Sequence, residues 1–247
     1  MIVSGCSDVR IYNVNCGPGH GYSIGGLGPN KTQAQVSDIV VFNSTVQDSL
    51  TGVRIKTWRV PSKPTSLIIL SHSVTSCGGT SGKCCLEKNS DQSYNKYSFD
   101  RLVSWTLQGG YGSVHDIRFS NITVTNVKTP ITIDQNYCGD AKICNCTNDT
   151  NAVAITSVAY ENITGTYTSI SVSLNCSEYK PCRNLTVAII DIVASEGSRQ
   201  GGGDKEGAPY CKNAYGRVLT NTSPPLQDCL LPEAAVPMPP QAVGYLF

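Results

Sequence analysis

Five segments of the chain follow one template: residues 6–16 (CSDVRIYNVNC), 36–46 (VSDIVVFNSTV), 114–124 (VHDIRFSNITV), 155–165 (ITSVAYENITG) and 182–192 (CRNLTVAIIDI). A small or polar residue at the third place is followed by apolar residues at the fourth and sixth. In four of the five, asparagine stands at the eighth place: Asn13, Asn43, Asn121 and Asn162. Alternation with period two describes strands with one buried face. A second short strand is predicted after most units, at Tyr22-Ser-Ile24, Val53-Arg-Ile55, Ile131-Thr-Ile133 and Ile170-Ser-Val172. No unit is large enough to bury its own apolar face, so a core forms only by stacking unit on unit. The expected fold is all-β, a right-handed parallel β-helix, with the asparagines stacked in a hydrogen-bonded ladder at one turn.

The unit starts at 6, 36, 114, 155 and 182 are 30, 78, 41 and 27 residues apart. Removing residues 59–107, which are 49 in number, reduces the anomalous gap to 29 and joins Lys56-Thr-Trp58 to Gln108-Gly-Gly-Tyr111. The coils on either side are therefore expected to stack as neighbours. The segment itself is rich in Lys, Pro and Ser, holds Cys84-Cys85, and shows no strand pair. It reads either as a long loop or as untranslated sequence read through in frame, and the second is preferred because structureless loops of this length are uncommon in compact domains. The expected organisation is a β-helix domain over 1–229 and a proline-rich tail over 230–247, with a flexible loop from Gly197 to Gly207.

Composition supports the all-β reading, with only 15% charged residues and 23 glycines. A net charge of +1 gives no reason to expect nucleic acid as a partner. Twelve cysteines without paired metal or redox CxxC spacing favour an oxidising compartment, with Cys176 and Cys182 closely spaced and Cys211 and Cys229 bracketing a segment that would staple the open end. Nine Asn-x-Ser/Thr sequons, at Asn30, Asn43, Asn121, Asn145, Asn148, Asn162, Asn175, Asn184 and Asn221, agree with secretion. Because the template itself places asparagine at turns, not every sequon need carry a glycan. No signal peptide opens the sequence and no apolar run is long enough to span a bilayer, so no membrane partner is expected.

Chemistry concentrates in two places. His20, one of three histidines, lies between Gly19 and Gly21 in Cys16-Gly-Pro-Gly-His-Gly-Tyr-Ser-Ile-Gly25. Glycine on both sides permits a tight turn and leaves the imidazole uncovered, which suits a group that meets a ligand or exchanges a proton. The plain alternative is a turn that holds a histidine. In Gly52-Val-Arg-Ile-Lys-Thr57, Arg54 and Lys56 alternate with Val53 and Ile55, so both cations share the outward face about 6.6 Å apart. In register on neighbouring coils stand Ser23 and Gly25 before, Thr132 and Asp134 after. Two fixed cations on a shallow groove suit a carboxylated ligand, and Tyr137, ending the next strand, can stack on a sugar ring. A solvated charged strand face and ordinary edge packing are the alternatives.

These motifs, Cys16-Gly-Pro-Gly-His-Gly followed by Tyr-Ser-Ile-Gly25, then Gly52-Val-Arg-Ile-Lys-Thr-Trp58, then Ile133-Asp-Gln-Asn-Tyr-Cys138, in this order on successive coils, resemble the plant polygalacturonases of glycoside hydrolase family 28. The likeness spans nearly all of the chain except 59–107 and the tail. It implies inverting hydrolysis of α-1,4-linked galacturonan in pectin, on a parallel β-helix, by a secreted monomer of the cell wall. It also implies that His20 matches the active-site histidine, that Arg54 and Lys56 bind a galacturonate carboxylate, and that Tyr137 lines the same subsite. No metal or cofactor is implied. Tyr22 and Gly26 depart from the family, which commonly has an aliphatic residue and a serine there.

The family's catalytic aspartates lie in an Asn-Thr-Asp motif and an Asp-Asp motif ahead of the Gly-His-Gly turn, and neither is in this sequence. An inverting glycosidase needs one carboxylic acid and one carboxylate. The chain is accordingly expected to be the C-terminal portion of a polygalacturonase, truncated at its N-terminus and inactive alone, with Cys16 free or mispaired with Cys6. A non-catalytic pectin-binding β-helix is the alternative. A pectate lyase would need an acidic calcium cluster, and Asp134 and Asp140 stand apart. A structural surface protein is opposed only by the coincidence of His20 with the cationic strand.

Overall fold

A computed structural model describes residues 1–59, 110–137, 152–196 and 207–235. Residues 60–107 of the expected insert, the 197–206 part of the loop, and the tail beyond Ala235 lie outside the described residues. So do Cys138, Asp140 and the sequons at Asn145 and Asn148. The described chain is built from parallel strands. In chain order they are β1 (Ser7–Tyr12), β2 (Asn15–Cys16), β3 (Tyr22–Leu27), β4 (Gln33–Gln47), β5 (Thr51–Trp58), β6 (Tyr111–Val127), β7 (Thr129–Tyr137), β8 (Ala154–Tyr167), β9 (Val172–Asn175), β10 (Cys182–Ala194), β11 (Tyr210–Lys212) and β12 (Ala214–Val218).

Alternate strands separate into two sheets. The long strands form one in the order β1-β4-β6-β8-β10-β12, with β2 also on β4, and the short strands form the other in the order β11-β9-β7-β5-β3. Each coil contributes a long strand and then a short one, and every coil lies parallel on the next. This is the stacked arrangement of a parallel β-helix, and its inward side chains form one continuous core.

The template accounts for the long sheet in detail. Its fourth and sixth places point inward, so Ile39, Val41, Ile117, Phe119, Val158, Tyr160 and Leu185 are all buried. Phe119 stacks on Tyr160 with ring centroids 5.5 Å apart. Two other places serve the backbone. All five third-place residues (Asp8, Asp38, Asp116, Ser157, Asn184) and all five eighth-place residues (Asn13, Asn43, Asn121, Asn162, Ile189) have φ between 48° and 57°. Left-handed backbone costs an ordinary residue roughly 1–2 kcal/mol, and Asn and Asp tolerate it best because a short polar side chain bonds locally. The small polar residues of the template are thus the corners of the coil. They bend β4, β6 and β8 without breaking the pairing, where several separate short strands were expected.

The asparagine ladder is present. Asn162 Nδ2 donates to Asn121 Oδ1 at 2.8 Å, and Asn121 Nδ2 donates to Asn43 Oδ1 at 3.0 Å. A second ladder was not anticipated: Asn126 Nδ2 donates to Asp48 Oδ1 at 2.8 Å, again between left-handed residues. Ile189 interrupts the first ladder, and its N–H donates instead to Thr220 Oγ1.

The coils flanking residues 59–107 are direct neighbours, with Val36 opposite Val114 in the long sheet and Val53 opposite Ile131 in the short one. In the fourth coil the short strand starts later than expected. It is Val172 and Leu174, each about 2% exposed, that face inward opposite Ile131 and Ile133, while the Ile170 N–H donates to the Lys128 carbonyl ahead of the strand.

Disulfides join Cys176 to Cys182 and Cys211 to Cys229, as their spacing suggested, and Cys6 and Cys16 are free. At the stapled end, Leu230 is buried, and Leu231 bridges Tyr215 through bonds to Ala214 and Gly216. The first residues assigned to the tail therefore belong to the cap.

Candidate functional site

The site is built on the outer face of the short sheet. Strand alternation in β5 sends Val53 and Ile55 fully inside and leaves Arg54 and Lys56 half-buried on the outside. The register is as expected: Arg54 lies between Ser23 and Thr132, and Lys56 between Gly25 and Asp134. Arg54 Nε donates to Ser23 Oγ at 3.1 Å, which holds the guanidinium against the preceding coil.

Lys56 sits over Tyr137, its Nζ 3.7 Å from the ring centroid. This is a cation–π contact, which fixes the ammonium without neutralising it. A register shift between Lys56 and Trp58 brings Trp58 opposite Tyr137, and the two rings meet edge to face at 4.6 Å. Trp58 in turn explains the glycine at position 26, since a Cβ there would come within 2.6 Å of the indole nitrogen. The other departure, Tyr22, is almost buried, and its hydroxyl donates to the Val14 carbonyl at 2.7 Å across the corner of the first coil.

Asp134 is the carboxyl closest in register to the cations. It accepts from the Asn136 N–H at 3.0 Å and from Asn175 Nδ2 at 3.3 Å, and Asn136 Nδ2 in turn donates to Asn175 Oδ1 at 2.9 Å. Burial raises its pKa above the usual carboxylate value, opposed by those two hydrogen bonds and by Lys56 and Arg54. Burial also lowers both cations, Lys56 further through the neighbouring Arg54 charge. Arginine stays charged at any relevant pH. The face therefore carries two partly desolvated cations and one carboxyl, an arrangement that favours an arriving anion over bulk water.

His20 stands at the entry of the same sheet. Gly17, Gly19 and Gly21 have φ of 132°, 152° and 65°, and the His20 side chain is exposed, as the flanking glycines implied. Gly21 is irreplaceable on steric grounds, because a Cβ would meet the Thr51 and Gly52 carbonyls at 2.1 and 2.2 Å. The His20 carbonyl accepts from Thr51 Oγ1 at 2.6 Å, three residues ahead of Arg54, or about 10 Å along the strand. His20 also lines an open cavity of about 510 Å³ with Asp48, Leu50, Asn126, Lys128 and Thr168.

The structure thus brings Arg54, Lys56 and Tyr137 together and sets His20 one strand end away on the same sheet. The patch is half-buried rather than exposed, because Trp58, Tyr137 and the adjoining coils crowd it. Trp58, Asn136 and Asn175 join the site although they were assigned no role in it from sequence. Only Trp58 had a signal in the sequence, the small residue at 26 against the large one at 58. Among the described residues no three His, Cys, Asp or Glu side chains gather as a metal site, and no helix is long and apolar enough to cross a membrane.

A parallel β-helix with a cationic, aromatic-lined outer face belongs to the solenoid class of folds, and comparison with known proteins narrows the class. Residues 1–70 and 100–210 match glycosyl hydrolases family 28, and the chain belongs to that family. It is 32% identical over 225 residues to a probable polygalacturonase of Arabidopsis thaliana, covering 91% of this chain and 38% of the relative. It is 34% identical over 219 residues to a polygalacturonase of Persea americana (88% and 35%) and 30% identical over 224 residues to polygalacturonase-2 of Solanum lycopersicum (90% and 36%). The chain spans less than two fifths of the length of these curated relatives.

Proposed function

We propose that the outer face of the short sheet binds galacturonate carboxylates of pectin, and that the longer protein hydrolyses α-1,4-linked galacturonan with inversion in the cell wall, acting as a monomer. The observation that carries this reading is the pairing of Arg54 with Lys56 on one half-buried face, with Lys56 seated on Tyr137, in a family whose named relatives are polygalacturonases. Arg54 offers a bidentate fork to a carboxylate, Lys56 a point charge, and Tyr137 a ring edge for a sugar. His20, uncovered at the sheet entry, is the group in this chain suited to tune the ionisation of neighbouring carboxyls.

Inverting hydrolysis needs a carboxylic acid to protonate the leaving oxygen and a carboxylate to activate water, about 6.5–9.5 Å apart. Asp134 is held by Asn136 and Asn175 beside two cations, which suits it to ordering the face rather than to proton transfer. The acid and base would come from coils stacked on the β3 edge, one inter-strand step from Arg54. The test is an assay of reducing ends released from polygalacturonate by this chain and by a version extended at its N-terminus with further coils. The expected result is release by the extended protein only. Comparable turnover by the 247-residue chain would contradict the assignment.

A further inference from the structure

The two outward rows that carry the cations continue past the site. From Arg54 the row runs through Thr132 and Ser173 to Tyr210, and from Lys56 it runs through Asp134 and Asn175 to Lys212. Between the ends the side chains are short, the neutral Thr132, Ser173 and Asn175 together with the one carboxyl of Asp134, which Asn136 and Asn175 hold. At the far end the outer face again presents a cation beside an aromatic ring. Tyr210 is 47% exposed, Lys212 is exposed, and none of the ion pairs among the described residues engages Lys212. Lys212 also lines a small cleft with Arg59, Asn136, Ser177, Glu178 and Tyr179, in which two cations face one carboxylate and which ties the β11 end to the network around Asp134. Three inter-strand steps place Lys212 roughly 14 Å from Lys56, too far for one sugar to span and within reach of a short oligosaccharide.

We propose that Tyr210 and Lys212 form a second contact for an acidic sugar of the same polysaccharide, so that the face takes an oligomer lying along the stacking axis and reads its length. The inference rests on the reading that Arg54 and Lys56 hold a uronate carboxylate. Its physical content is avidity along one rigid row. The first carboxylate is fixed at β5, and a ligand long enough to reach β11 gains a second charge-assisted contact without a second loss of translational freedom. Thr132, Ser173 and Asn175 supply hydroxyl and amide partners to the sugars between. A lysine on a sheet edge also protects that edge from pairing with other chains, so length dependence is the property that separates the two roles.

The experiment is calorimetric titration of the chain with galacturonate oligomers of one to six units. The proteins are the unaltered chain, Lys212→Gln, Tyr210→Ala, Arg54→Ala and, as an equal charge change on the long sheet, Arg183→Gln. The expected result is that Lys212→Gln and Tyr210→Ala weaken the hexamer, Lys212→Gln by about tenfold. Both should leave the shortest bound oligomer unchanged, while Arg54→Ala weakens every length. A Lys212→Gln loss that is equal at all lengths, or that matches Arg183→Gln, or that is absent while the Arg54 effect persists, would overturn the extension alone. If no oligomer binds the unaltered chain, or if Arg54→Ala has no effect at any length, the underlying reading of the cation pair falls and the extension with it.

Discussion

The two sheets of this solenoid are made of the same coils, yet they use their residues differently. In the long sheet inward aliphatics and aromatics fill the core, the third and eighth places turn the corners, mostly as left-handed Asp, Asn and Ser, and the outward cations Arg10 and Arg118 pair with Asp8 and Glu161. In the short sheet only the inward places are uniform, as with Ile24, Val53, Ile55, Ile131, Ile133, Val172 and Leu174. The outward places vary from coil to coil, as Ser23, Arg54, Thr132 and Ser173 show along one row. Both sheets carry register shifts, and the one between Lys56 and Trp58 in the short sheet falls where Lys56 meets Tyr137. Repetition makes a scaffold, and departure from repetition on one face makes a site.

That division can be broken most heavily at the scaffold. Phe119→Ala removes a fully buried ring stacked on Tyr160 and is expected to cost about 3–5 kcal/mol, read as a lowered midpoint of chemical denaturation. Any loss of sugar binding should track unfolding and nothing more. At the site the opposite pattern is expected. Arg54→Ala should weaken galacturonate-oligomer binding by on the order of 1.5–3 kcal/mol in calorimetry while moving the denaturation midpoint little.

The corners come next. Asn121→Ala places an alanine at φ 53° and cuts the ladder to Asn43 and Asn162, for an expected loss of roughly 1–2 kcal/mol in stability. Asn121→Gly, which keeps the backbone and loses only the ladder, should recover part of that loss, and neither variant should change affinity.

The smallest effect concerns Asp134. Its folded pKa is raised, so the folded state binds more protons than the unfolded one between the ordinary carboxylate value and the raised one, and stability falls as pH climbs through that window. Asp134→Asn keeps an acceptor for the Asn136 N–H and should flatten this fall. Denaturation midpoints measured on both proteins from about pH 3 to pH 7 check the sign.

The same contrast governs what the residues alone could reveal. The stacking of the coils, the burial of places four and six, the asparagine ladder and the register of Arg54 and Lys56 with Ser23, Gly25, Thr132 and Asp134 follow from period and spacing, which are local. The left-handed geometry of the third place was not legible, although Asp8, Asp38 and Asp116 were visible as a column, because polar residues at a turn do not declare their φ. Nor was the seat of Lys56 on Tyr137, which depends on one extra residue of register at Trp58. The Asp134, Asn136 and Asn175 network joins two coils 41 residues apart in sequence, and no periodicity points to it.

The claim that the short sheet is the binding face and the long sheet the scaffold is tested most directly by side-chain oxidative footprinting with and without a galacturonate oligomer. Trp58, Tyr137 and His20 report on the short sheet and its entry, and Tyr12 and His115 on the long sheet. The expected result is protection of Trp58 and Tyr137, with His20 next, and unchanged labelling of Tyr12 and His115. Protection of Tyr12 or His115 with Trp58 and Tyr137 unaffected would contradict it.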